Sequence, residues 1–293
     1  MEKVKLKLWA ACAFAVVLAA CEKPLLDGEN DGNVTLHFTP TTKDVAQTRG
    51  SVNIGDYFEK LNVQLFDHDG EKVFDKVKTQ TTSTANFGEL NCELAEGTYT
   101  VVAVGHSSIK SATIKSPSMV QFTASDGEKL TDTFCHCGKV TIHEDGERFD
   151  LEMNRICAML RFRFTDTEVP GSFTQVRFDY TGGSANFNPT TSEGTTKSTQ
   201  SELRQKAGEY QMFTFPYMAA EGKLKVTVVA MNADGVQLRK RTFTDIPVTR
   251  NRITTYTGHL FDDSMGEIRQ TTFGISVNTD WDGEDIYEFK KLY

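Results

Sequence analysis

The sequence predicts an all-β protein, two β-sandwich domains in series behind a lipoprotein signal peptide and a short tether. Three observations point there. Apolar residues alternate with polar ones along most of the chain, the period-two mark of half-buried strands. Gly, Asp and Asn clusters separate these runs at short spacing, as they do in sandwiches. No stretch sustains four turns of amphipathic helix.

The N-terminus comes first. Lys3, Lys5 and Lys7 precede an apolar run from Leu8 to Ala20, the order of a secretory signal. The run has 13 residues, whereas a bilayer span takes about 20. Residues 1–20 therefore read as a signal peptide. "LAAC" at 18–21 resembles the bacterial lipobox, in which the cysteine is diacylated, the chain is cut before it, and the new amine is usually acylated too. Cys21 is the expected lipidation site. A single acyl chain binds a bilayer only marginally, at about 0.8 kcal/mol per buried methylene, so two or three chains are what make the attachment durable. Residues 21–32, ending in "EKPLLDGENDG", have no periodic apolar face and read as the lipidated N-terminus and tether.

Strands are expected next, across an N-terminal sandwich at 33–167. "NVTLHFT" alternates Val34, Leu36 and Phe38 with polar neighbours. "KLNVQLFD", the turn "HDG" and "EKVFDKV" read as a hairpin. "FGELNCELAEGTYTVVAVGHS" reads as a strand, a turn at Glu96-Gly97 and a returning strand, with further strands at 118–123, 139–144, 148–153 and 156–165. "DTEVPGS", with Pro170 and Gly171 together, is the expected boundary. A C-terminal sandwich at 168–293 repeats the pattern in "FTQVRFDY", "YQMFTFPYM", "KLKVTVVAMN", "VQLRKRTF" and "TTFGISVNT", with "NADG" as a hairpin turn. Between these, "TGGSANFNPTTSEGTTKSTQSE" is rich in Thr, Ser and Gly and is expected to be a long mobile loop.

Charge narrows the partners. Without Glu2, Lys3, Lys5 and Lys7 the totals of 32 basic and 40 acidic side chains become 29 and 39, a net charge near −10. No basic cluster is present, so nucleic acid is not an expected partner. Secretion would place Cys92, Cys135, Cys137 and Cys157 where disulfides persist, and four cysteines allow three pairings that sequence does not separate.

Candidate chemistry is thin. "FCHCGKVTIH" offers Cys135, His136, Cys137 and His143, but two cysteines one residue apart on a strand splay instead of closing on a metal. They read as buried small hydrophobes or disulfide partners, and no metal site is expected. "DHDGE" at 67–71 and "DWDGED" at 280–285 alternate carboxylates beside glycine, a pattern open to calcium but also the preferred chemistry of turns. The histidines, His37, His68, His106, His136, His143 and His259, form no H-E-x-x-H pair. "GHSSI" and "TGGSAN" are not G-x-S-x-G, and no phosphate or dinucleotide loop occurs. No catalytic residue, cofactor or enzymatic activity is expected. Trp281, Tyr210 and Phe213 would make a sugar platform only if exposed, and in strands such rings belong to the core.

Four passages then form a pattern: "LAAC" at 18–21, "CELAEGTYTVVAVGH" at 92–106, "FDLEMNRICAMLRFRF" at 149–164, and "VTRNRITTYTGHLF" at 248–261 leading to "FGISVNTDWDGED". In this order they resemble the fimbrial anchor lipoproteins of Bacteroidales, the FimB/Mfa-type anchoring subunits of the fimbrillin superfamily. The resemblance implies two transthyretin-like sandwiches, an outer-membrane location at the base of a fimbrium, and pilin subunits and the bilayer as partners. It also implies joining by β-augmentation, in which main-chain hydrogen bonds give affinity and alternate side-chain pockets give selectivity. Related stalk subunits are matured by cleavage after an arginine, which makes Arg49 in "QTRGSV" a possible protease site. A cut there would separate Cys21 and "NVTLHFT" from the body, so an anchor is expected to leave Arg49 uncut. A surface glycan-binding lipoprotein and an accessory or stalk fimbrillin are the alternatives.

Overall fold

The structure is a computed structural model that describes residues 32–41, 53–109, 112–122, 130–143, 146–262, 268–271 and 281–289. The first half supplies β1 (Val34–Thr41), β2 (Lys60–Phe66), β3 (Lys78–Thr81), β4 (Glu89–Cys92), β5 (Gly97–His106), β6 (Thr113–Ser116), β7 (Met119–Gln121), β8 (Thr133–Ile142) and β9 (Glu147–Arg155). The second supplies β10 (Ala158–Phe164), β11 (Gln175–Thr181), β12 (Asn186–Asn188), β13 (Glu193–Gly194), β14 (Thr199–Gln205), β15 (Glu209–Thr214), β16 (Lys223–Met231), β17 (Gln237–Pro247), β18 (Ile253–Gly258), β19 (Ile268–Thr271) and β20 (Glu284–Phe289). Helical structure among the described residues is limited to short 3-10 turns at Ile54–Asp56 and Met218–Ala220. The all-β class read from the period-two pattern is the class observed.

The first body is one sheet in the order β3-β2-β5-β8-β9-β1-β4. β8 and β9 pair only at Phe134↔Arg155 and Cys135↔Asn154, and elsewhere they diverge into two facing layers. Val34, Leu36 and Phe38 of β1 meet Leu61, Val63 and Leu65 of β2, Val101 and Ala103 of β5, and Leu151 and Met153 of β9 in the core between the layers. The opposite side is closed by a side chain. Gln80 of β3 donates to the carbonyl of Glu89 at 2.6 Å and accepts the N–H of Gly88 at 3.0 Å, tying β3 to β4.

The second body stacks a sheet β15-β10-β18-β20-β19 on a sheet β14-β11-β16-β17. Phe162 centres its core, with Phe178, Phe243 and Tyr256 ring centroids 5.3 to 5.6 Å away. A third core lies between the bodies. Val102 and Val104, on the other face of β5, pack with Ile114, Val120, Ile156, Phe187, Phe215 and Trp281. β5 is therefore covered on both faces, which explains its unbroken apolar run "VVAV". A small sheet β13-β12-β7-β6 draws strands from both halves across this junction.

β10 pairs with β15 and β18, so strand pairing changes over at Ile156 and Cys157. "DTEVPGS" turns between β10 and β11, with the Phe173 N–H donating to the Pro170 carbonyl at 2.9 Å. Three expectations need correction. The expected strand over 71–77 shrinks to a bridge at Phe66↔Lys72, because the Gln64 side chain takes both main-chain groups of Phe74. β4 and β5 do not form a hairpin: β4 pairs with β1 and β5 with β2 and β8. The Thr/Ser-rich segment after Thr181 is ordered into β12, β13 and β14, anchored by fully buried Phe187. "TTFGISVNT" past Thr271 lies outside the described residues.

Candidate functional site: the N-terminal strand and the junction it leads to

β1 is the first described strand after the segment that carries Cys21. It lies between β9, which it joins in parallel from Val34↔Glu147 to Thr41↔Asn154, and β4, which it joins antiparallel. Val34, Leu36 and Phe38 are 1%, 0% and 0% exposed, and full burial of such a side chain contributes about 1.5–3 kcal/mol. The entry to the strand is also fixed. The Asn33 amide donates to the Leu94 carbonyl and accepts the Leu94 N–H, both at 2.8 Å, while the Asn33 carbonyl accepts from Gly146 at 2.7 Å. Gly32 passes so close to β4 that a Cβ there would sit 2.4 Å from the Cys92 nitrogen. Thr35 adds a hydroxyl bond of 2.6 Å to Asn91.

From β9 the chain runs through Ile156 and Cys157 into β10. Arg155 locks this passage. Its guanidinium grips Asp132 at 2.8 and 2.9 Å and Asn251 at 3.2 Å. It also lies 4.6 Å from the Phe134 ring and 4.2 Å from that of Trp281. Asn251 and Trp281 belong to the second half, so one buried cation binds both bodies. Nothing in "MNRIC" marks this role, because the partners are distant in sequence; the only hint was a charge at an inward position of β9.

The other candidates are occupied structurally. Cys135 and Cys137 lie on one face of β8 and pack in or against the junction core, while the Nδ1 of His136 is taken by the Glu152 carbonyl at 2.8 Å. Cys92, Cys135, Cys137 and Cys157 are free thiols. Burial pushes Cys135 and Cys157 well above the usual thiol range and Cys92 up to about 11. Asp67, His68 and Asp69 bring their ligand atoms within 4.8 Å. The Asp67 carboxylate, however, already accepts the N–H groups of Asp69 and Glu71, the chemistry of a turn. In "DWDGED", Glu284 pairs with Arg161 and Asp285 with Arg252. Trp281 and Tyr210 are buried, and the exposed large apolar residues described are Ile109, Leu203, Met218 and Val236, none of them aromatic. No described helix is long and apolar enough to cross a membrane. Cys21 and Arg49 lie outside the described residues.

Sheet ends lie in the second body as well as at β3 and β4 of the first. β14 and β17 end their sheet, each with one strand neighbour among the described residues. β17 carries Lys240 and register irregularities against β16, devices that discourage edge pairing. On β14, Glu202 points inward to Tyr180 and Arg204, while Leu203 is 48% exposed.

Among solved structures the chain is similar to a candidate adhesin of Bacteroides ovatus, at 12% identity and a TM-score of 0.49, over 72% of this chain and 75% of that one. It is similar to a candidate polysaccharide-binding protein of Bacteroides thetaiotaomicron, at 12% identity and a TM-score of 0.47, over 72% and 80%. It is also similar to the fimbrial anchor protein Mfa2 of Porphyromonas gingivalis, at 14% identity and a TM-score of 0.41, over 71% and 80%. No curated protein matches the chain. A family model covers residues 27–292, and the chain belongs to that family, DUF6562, a family of unknown function.

Proposed function

We propose that this member of the DUF6562 family is a non-enzymatic lipoprotein that ties a fimbria to the outer membrane at its base. Acylated Cys21 enters the bilayer, and the tether to residue 32 reaches at most about 40 Å. The observation that carries the reading is the lodging of β1. The strand that follows the lipobox tether is buried between two neighbours and fixed at its entry by Asn33, so a pull on Cys21 is a pull on the folded body. A strand that had to be shed would not need this hold. Pilin subunits then add to the second body by strand pairing, for which β14, a sheet end with exposed Leu203, is the edge we assign. We further propose that the two units of this anchor divide at Ile156–Cys157.

The test is genetic and direct. Cys21→Ala is expected to move the protein out of the membrane fraction and to release fimbriae into the medium. Retention of both in the membrane would contradict the reading. A fimbrial subunit is expected to co-purify with the lipidated protein from envelopes.

A further inference from the structure

Parallel strand pairs are few in this molecule. Among the described strands they are β1 with β9, β10 with β18, and β18 with β20, and every other ladder is antiparallel. Two of them lie in line along the chain, because β9 passes through two residues into β10. The consequence is directional. Tension from the lipid enters β1 at its Val34 end, whereas tension from a load on the second body enters β9 at its Arg155 end. In a parallel pair those are opposite ends of the ladder, since Val34 sits against Glu147 and Thr41 against Asn154.

We propose that β1 is a shear clamp, a strand laid parallel on β9 so that a pull between membrane and second body loads its whole eight-residue register at once. This rests on the anchor reading, which supplies the two points of load. Had β1 been antiparallel to β9, the same pull would act at one end of the ladder and open it one pair at a time. Here no pair can part before its neighbours slide. Sliding by one residue also turns Val34, Leu36 and Phe38 from the core to the other face, because side chains alternate with period two. The entry residues add resistance where tension arrives. Asn33 holds both main-chain groups of Leu94, and Gly32 is wedged against Cys92. At the far end Arg155 holds β9 to Asp132 and to Asn251 of the second body, so load leaves the clamp without prying the bodies apart.

Single-molecule force spectroscopy tests this on the chain from residue 21 onward, held by a coupling tag at that end and by a second in the exposed turn at Asp234–Val236. Release of β1 frees at least Asn33 to Thr41, about nine residues at roughly 3.5 Å each, which identifies the event by its length. The expected record has a force peak ending in that release. Asn33→Ala and Leu36→Ala each shift the peak to lower force and leave later peaks from the second body in place. Two variants are used because Leu36→Ala removes core packing, whereas Asn33→Ala removes only the entry bonds. The clamp is overturned if β1 leaves without a resolvable peak, or if both variants fold and rupture at the unaltered force. The measurement needs neither membrane nor pilin. A chain that resists in this way but does not retain fimbriae on cells would sink the anchor reading and leave the clamp standing.

Discussion

In the first body the end strands β3 and β4 meet through one side chain, Gln80, which bonds Gly88 and Glu89 at the start of β4, and β1 is enclosed by β9 and β4. In the second body β14 and β17 run along the ends of a sheet with one strand neighbour each among the described residues. Both bodies have the same alternating composition and cores of similar make-up. They differ in what the end strands carry: β3 carries a glutamine that bonds main-chain groups at β4, whereas β14 carries exposed Leu203 and β17 exposed Lys240. A closed body suits holding a strand that must not exchange, and an open one suits accepting a strand from elsewhere.

The comparison breaks most severely at Arg155, which joins the two. Arg155→Ala strips a nearly fully buried cation from Asp132, Asn251 and two aromatic rings. The expected loss is about 3 kcal/mol, set by the charge left without its partner. Calorimetry should then separate one unfolding transition into two, one for each body. A single transition at an unchanged midpoint would mean that the bodies are joined by other means.

Acid should weaken the first body before the second. Burial, with a smaller contribution from Lys60, pushes His106 down to about 4 from its ordinary 6.5. Its neutral ring accepts the Ser108 N–H at 3.1 Å and donates to Asn62 at 2.8 Å, so a second proton would displace a bond. The unfolded chain therefore binds the proton first. The stability associated with neutral His106 is complete above pH 6.5 and falls between pH 6.5 and 4, by about 3 kcal/mol in all. Denaturation followed against pH should show this slope, and His106→Gln should flatten it.

Gln80→Ala reopens the seam between β3 and β4 and leaves the Gly88 N–H and Glu89 carbonyl to find water, at a cost of about 1–3 kcal/mol. Amide exchange should rise at β3 and β4 and stay unchanged at β14 and β17. The smallest effect on stability, within about 0.5 kcal/mol, is expected of Leu203→Lys on the open edge. Its effect should appear in binding instead, as weaker capture of a fimbrial subunit by an otherwise normally folded protein.

Much of this architecture was legible in the sequence, and the illegible part has a common cause. "NVTLHFT" and "KLKVTVVAMN" announce their strands because burial of one face leaves a period of two. "NADG" announces its turn because Asn232 accepts the N–H groups of Asp234 and Val236 and Gly235 takes a φ of 78°. Pairing left no such mark. That β4 leaves β5 for β1, that β10 changes partners, and that Gln64 and Gln80 replace missing strand contacts are decisions between residues far apart in the chain. The loop misread after Thr181 belongs with these, since its order depends on Phe187 reaching a core shared by both bodies. At the candidate site, the apolar positions of β1 could be read from sequence, but the parallel neighbour and the Asn33 hold could not.

The most direct test of the account is the first residue of the protein as it stands on the cell. Intact mass and N-terminal sequencing of envelope-extracted protein should find acylated Cys21 at the start, with β1 and Arg49 still in the chain. A surface form that begins at Gly50 would have lost both the lipid and the strand, and would contradict the anchor.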